Sequence, residues 1–192
     1  MPPDGIQSVE LTNADNKEIY GTYSVTASWA YDITDVEKII NDSTLIFKVV
    51  VTGVGDASII KGHPLPTTPY TATVLEVLEG ECNEKEITLK TSGGLITLNE
   101  YKTTLSEEKI KKMGLDTISE KEGDQKYIEF TMDSDYKFKT NQEYIVVLDS
   151  DYSLVADGYS IFAASSSKTK TMTKSSTYTN VLTAKVLPDI GQ

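Results

Sequence analysis

Leu45-Ile46-Phe47-Lys48-Val49-Val50-Val51 decides the fold. Seven residues, six of them apolar and four of those β-branched, are too short for a free-standing helix and too uniformly apolar for a strand with one wet face. The run therefore reads as a central strand buried on both sides, the spine of a sheet. Directly downstream, Gly53, Gly55, Gly62, Pro64, Pro66 and Pro69 break any regular element and define a long loop. A second strand follows over Tyr70 to Leu78, stopped by Gly80, and a third alternates Ile87, Leu89 and Thr91 before Gly93-Gly94. Their short connection, Glu79 to Glu84, implies antiparallel neighbours.

Upstream of the spine the period is helical. Thr34 and Glu37 have capping-box spacing, and Val36, Ile39 and Ile40 fall on one face of a short helix ending near Asn41-Asp42-Ser43. A second helix is expected from Leu105 to Gly114. Ser106 caps it, Glu107 and Glu108 occupy the first turn, Lys111 and Lys112 the last, and Leu105 and Ile110 form a hydrophobic staple, with Ile110 and Met113 facing inward. After a charged loop from Ser119 to Lys126, alternation returns at Ile128, Phe130 and Met132, then at Tyr144 to Leu148, then at Tyr159 to Phe162 beyond the Asp157-Gly158 turn. Val9 and Leu11, a polar turn at Asn13 to Asn16, and the run Ile19 to Trp29 suggest an N-terminal hairpin. Ser165 to Thr179 is a Ser/Thr/Lys tract with the composition of a linker, and Val181, Leu182, Val186 and Leu187 offer a last strand.

The fold class expected from this order is mostly β. Strand, strand, strand, helix, strand, strand is the order of an OB-like five-stranded antiparallel barrel, here with two short helices, an N-terminal hairpin and a C-terminal extension; an open up-and-down sheet is the competitor. Residues 1–164 would form the barrel domain, with its core at 35–163, and residues 165–192 the linker and final strand.

Composition narrows the function. The 192 residues include one histidine, one cysteine and no arginine, so the usual general base, strong nucleophile and bidentate anion clamp are almost absent. A binding scaffold is expected rather than an enzyme. The net charge of -11 repels nucleic acid and anionic membrane surfaces, and no apolar run is long enough to cross a bilayer. A single cysteine forbids an internal disulfide. The start has neither a basic nor an apolar leader region, so the chain is either intracellular or has lost a signal segment. Serine and threonine make up about a fifth of it, and this hydroxyl-rich, cysteine-poor composition tips the expectation to an extracellular or cell-surface protein whose signal has been removed.

The stretch from Asp35 to Phe162, with "STLIFKVVVTG", "YTATVLEVLEGE", "EITLKTSGG" and "NQEYIVVLDSD" in order, resembles the OB-like module of secreted proteins related to the netrin and metalloprotease-inhibitor domains. Similar runs look like those of exported proteins and lipoproteins of Gram-positive bacteria. The zinc-chelating N-terminal cysteine and the disulfides of the inhibitors have no counterpart here, since the chain begins with Met1 and holds only Cys82. What the resemblance implies is the fold and the binding of other macromolecules.

An OB-type site would lie on the face of the second and third strands, under the loops that overhang it. The candidate residues are His63 and Tyr70 on one side and Asp133, Asp135 and Tyr136 on the other, with the tyrosines as anchors. No catalytic set, metal site or cofactor is expected. His63 lacks a second zinc ligand, and Cys82 sits in an acidic connection that suits an unreactive thiol. The two Asp-Ser-Asp-Tyr copies, Asp133 to Tyr136 and Asp149 to Tyr152, lack the glycine and distal glutamate of a calcium loop. The expected partner is a protein or carbohydrate at the cell surface. The alternatives are a carboxylate-based hydrolase and a structural spacer of an envelope protein.

Overall fold

The computed structural model describes residue 14, residues 16–164 and residues 177–190. In chain order its strands and helices are β1 (Glu18–Val25), α1 (Val36–Asn41), β2 (Leu45–Val54), β3 (Thr67–Glu79), β4 (Glu86–Ser92), β5 (Gly94–Thr97), α2 (Leu98–Lys102), α3 (Glu107–Lys112), α4 (Glu120–Gly123), β6 (Lys126–Met132), β7 (Glu143–Leu148), β8 (Ile161–Ala164) and β9 (Tyr178–Asn180). The architecture is mostly β, in two sheets.

The larger sheet has six antiparallel strands in the order β4-β3-β2-β7-β8-β9, with β2 flanked on both sides. Its apolar run divides between two cores by the strand period of two. Phe47, Val49 and Val51 enter the main core with Tyr70, Leu89, Tyr144 and Val146, while Ile46 faces Ile39 of α1 together with Val147 and Phe162. Burial on both faces is what the sequence run required. Antiparallel pairing of β3 with β4 agrees with their short connection.

The smaller sheet has the order β1-β6-β5. Its middle strand, β6, runs parallel to β1 and antiparallel to β5. This corrects the barrel expectation. Closure needed β6 against the large sheet, but both of its edges are occupied and β7 takes the free edge of β2. Among the described residues neither sheet closes. Only isolated bridges cross the gap between β4 and β7, Ser153 to Lys90 and Leu154 to Leu148.

The short elements differ from the sequence reading in instructive ways. Helix α1 is capped by Asp35, whose carboxylate accepts from Lys38 N at 3.2 Å, because Thr34 is already tied to Asp32 through its amide at 2.9 Å and its hydroxyl at 2.8 Å. Ser106 caps α3 as expected, and Leu105 and Ile110 both pack on a third core, formed by Ala57, Ile96, Leu98, Tyr101, Leu115 and Ile128, but Met113 stays exposed. Among the described residues there are four α-helices instead of two. Helices α2 and α4 are single turns, started by Thr97 and Ser119, too short to show a periodic apolar face. Val9 and Leu11, the first arm of the expected hairpin, lie outside the described residues, as does 165–176; the second arm pairs with β6. The final strand is β9, three residues earlier than expected. Asn180 causes the shift: its amide donates to the carbonyls of Gly158, Tyr159 and Ile161, and its oxygen accepts from the amides of Leu182 and Thr183, turning the chain there.

Gly93 and Gly94 carry the chain from one sheet to the other, with φ of 87° and 123°. The corner is tight. Thr68 donates its buried hydroxyl to Gly93 O at 2.7 Å, and a Cβ on Gly94 would stand 2.1 Å from that hydroxyl oxygen and 2.7 Å from Ala57 Cβ. Gly94→Ala therefore combines a backbone conformation reserved for glycine with an overlap, and should cost about 3 kcal/mol. Urea unfolding with an unchanged slope and a lowered midpoint is the expected result.

Candidate functional site

Two clefts meet at this corner, and they divide the residues singled out from sequence. The narrow one, of ≈ 70 Å³, is lined by Tyr70, Asp135 and Tyr136 beside Gly93 and Gly94. Its tyrosines belong to the core. Tyr70 is 4% exposed with its ring 5.0 Å from that of Phe138, and Tyr136 meets Phe138 and Tyr144 edge-on, its hydroxyl 3.3 Å from the Tyr144 hydroxyl. Neither ring is the open stacking anchor expected. Alternation in β3 selects Tyr70 for the inner face, next to Ala72. Asp133 stands apart, exposed, accepting from Ala27 N at 3.3 Å.

His63 is exposed and lies on the second cleft, of ≈ 320 Å³, a volume within the range of small-ligand sites. Three segments build it. The β2–β3 connection supplies Ile60 and His63, with His63 N donating to Ile60 O at 3.0 Å; the end of β4 supplies Lys90 to Ser92; the loop after β7 supplies Asp151 and Ser153. Trp29, the chain's only tryptophan, half-buried after β1, joins them.

The loop after β7 explains the second Asp-Ser-Asp-Tyr copy. Asp149 Oδ1 accepts from the amides of Asp151 at 3.1 Å and Ser153 at 3.2 Å, and Asp151 Oδ1 accepts from Ser153 N at 3.1 Å. These aspartates act as side-chain turn formers. Lys90 Nζ completes the wall with a 3.0 Å ion pair to Asp151 Oδ2. The hydrogen bond with Asp149 holds Asp151 well below the ordinary carboxylate range, while burial pushes Asp149 up.

The first copy serves the corner instead. Asp135 Oδ2 accepts from Met132 N at 2.8 Å, and buried Ser134 donates to Asp157 Oδ2 at 3.4 Å. Asp157, 8% exposed, also accepts from Ser92 N at 3.3 Å. Burial raises the pKa of Asp157 despite these bonds. Among the described residues no group of three His, Cys, Asp or Glu side chains is arranged to hold a metal ion. Cys82 packs beside the main core, its sulfur 4.0 Å from the Tyr152 hydroxyl.

Trp29, Lys90, Asp151 and Asp157 are the residues that sequence reasoning missed. Trp29 carried a signal in its rarity alone; Asp157 was read only as a turn. Comparison with protein-family models, curated proteins and solved structures returned no match to this chain.

Burial pushes Asp135 up to about 6, with the Asp157 and Glu129 charges adding to it against the Met132 amide and Lys137. A carboxyl whose folded pKa is raised binds its proton more tightly in the fold, so stability falls as pH climbs from about 4 to 6 and stays lower above it. Asp135→Asn keeps an acceptor for Met132 N and removes the buried charge. It should stabilise the protein by about 2 kcal/mol at pH 7, with solvent screening allowed for, and flatten that part of the stability curve. Thermal or urea unfolding between pH 4 and 8 reads both effects.

Proposed function

We propose that the chain is a non-catalytic binding module of the extracellular or cell-surface class, built on an OB-like frame, with its ligand site in the Trp29–His63 cleft. The observation that carries this reading is the convergence there of the chain's only tryptophan and only histidine from separate segments. Their cleft lies between the β2–β3 connection and the loop after β7, beside β4, where an OB-type site is expected. The parallel bridge of Ser153 to Lys90 and the antiparallel bridge of Leu154 to Leu148 support the OB-like frame, since they make the loop after β7 a stand-in for a closing strand. The ligand is a protein or carbohydrate.

A carboxylate hydrolase is the second reading, and one observation favours it: Asp151 and Asp157 line the same cleft with pKa values displaced in opposite directions. The hydrogen bonding argues for binding. Asp151 has one oxygen on Lys90 and the other on Ser153 N, and Asp157 has one on Ser92 N and the other on Ser134, so both carboxylates are committed to holding the walls.

Retention on intact bacterial envelopes tests the reading. The unaltered protein should be retained saturably, and Trp29→Ala, folded by circular dichroism, should lose at least about tenfold in affinity, the behaviour of a central aromatic anchor. Equal retention of the two proteins would overturn the site.

A further inference from the structure

We infer that the Trp29 cleft takes a neutral saccharide, an inference that rests on the binding-module reading and names its ligand class. The argument begins with which polar groups are already used. Lys90, Asp151 and Asp157 are held by one another or by backbone amides. Among the described residues, the Trp29 indole N–H, the His63 ring and the hydroxyls of Thr67 and Thr91 make no hydrogen bond within the protein. They line one cleft. The free set thus contains donors and donor-acceptor hydroxyls around an aromatic face, with no uncommitted charge among Trp29, Thr67 and Thr91.

A pyranose ring matches that set. Its axial C–H face is apolar and stacks on an indole, while its equatorial hydroxyls both donate and accept, as threonine hydroxyls require. Charge selects the neutral class. The one lysine at the cleft is paired with Asp151, so an anionic sugar would meet Asp157 and the field of a chain carrying -11 with only the His63 ring left to receive its charge. The volume of ≈ 320 Å³ holds a short saccharide. A flat protein surface would leave such a recess unfilled, and a peptide side chain would use fewer of the free hydroxyl partners.

Because Trp29 is the only tryptophan, its emission reports this cleft alone. The intact chain is titrated with maltose, cellobiose and N-acetylglucosamine, and with glucuronic acid as the anionic control. Saturable change in emission is expected for at least one neutral sugar, with a Kd on the order of 1 mM or tighter. Glucuronic acid should bind at least about tenfold more weakly, equivalent to about 1.4 kcal/mol. The Thr67→Ala, Thr91→Ala double variant keeps Trp29 as reporter and should weaken the neutral sugar at least about fivefold, as expected when ligand hydroxyls lose their partners. An unchanged affinity in that variant, or equal binding of glucuronic acid, overturns the inference. If no neutral sugar alters the emission while Trp29→Ala still loses envelope retention, the saccharide assignment fails and the binding module stands; if retention is also unaffected by Trp29→Ala, both fail.

Discussion

Thr68 and Gly93 make the contact from which the arrangement of this molecule follows. A buried hydroxyl closes on a carbonyl at 2.7 Å, and on the other side Gly93 N donates to Pro66 O at the same distance. Both bonds fall where β4 leaves the large sheet and β5 enters the small one. The two left-handed glycines allow the change of direction without a loop, so Thr91 and Ser92 become a wall common to both clefts. Move the corner by one residue and the side-chain alternation of β5 inverts, exposing Leu95 and Ile96 differently and unseating the third core.

Around this corner an acidic chain buries Asp157 and half-buries Asp135. Desolvation disfavours their charge, and each is compensated by a backbone amide: Met132 N for Asp135, Ser92 N for Asp157. No buried side-chain nitrogen or oxygen among the described residues lacks a partner. The carboxyls therefore act as structural clamps that hold β6 and the Asp157–Ser160 turn against the end of β4. Their cost is the reason that this part of the fold responds to pH.

How much of this the sequence disclosed depends on the range of the interaction that decided each element. β2 was legible because a β-branched run has one comfortable place, between two neighbours; the β3–β4 pairing followed from a short connection; Ser106 and Gly114 marked the ends of α3 by local chemistry. The partners of β6 were not legible. Its alternation at Ile128 and Phe130 fits either sheet, and the deciding event is a parallel pairing with β1, about a hundred residues away in the chain. Tyrosine has the same ambiguity at single-residue scale. Tyr70 and Tyr136 have the same side chain as the half-exposed Tyr23; the inner face of β3 puts Tyr70 in the core, and contacts with Phe138 and Tyr144 hold Tyr136, between β6 and β7, against it. Of the five site residues, Tyr70, Asp135 and Tyr136 share the narrow cleft, His63 alone reaches the wide one, and Trp29 was overlooked because its neighbours, Ser28 and Ala30, carry no pattern.

The wall of the wide cleft formed by the loop after β7 is held by a dense set of hydrogen bonds. The loop after β7 is unusual in satisfying its own backbone: Asp149 and Asp151 take the amides of residues within the same turn, Lys90 N donates to Tyr152 O at 3.2 Å, and Lys90 Nζ fixes Asp151. For the binding role proposed above, a wall ordered in advance loses little conformational entropy, so modest contacts would be enough for useful affinity. In a chain with one histidine and no arginine, Asp151 and Asp157 hold the walls of this cleft, and the indole of Trp29, the imidazole of His63 and the hydroxyls of Thr67 and Thr91 line the recess between them.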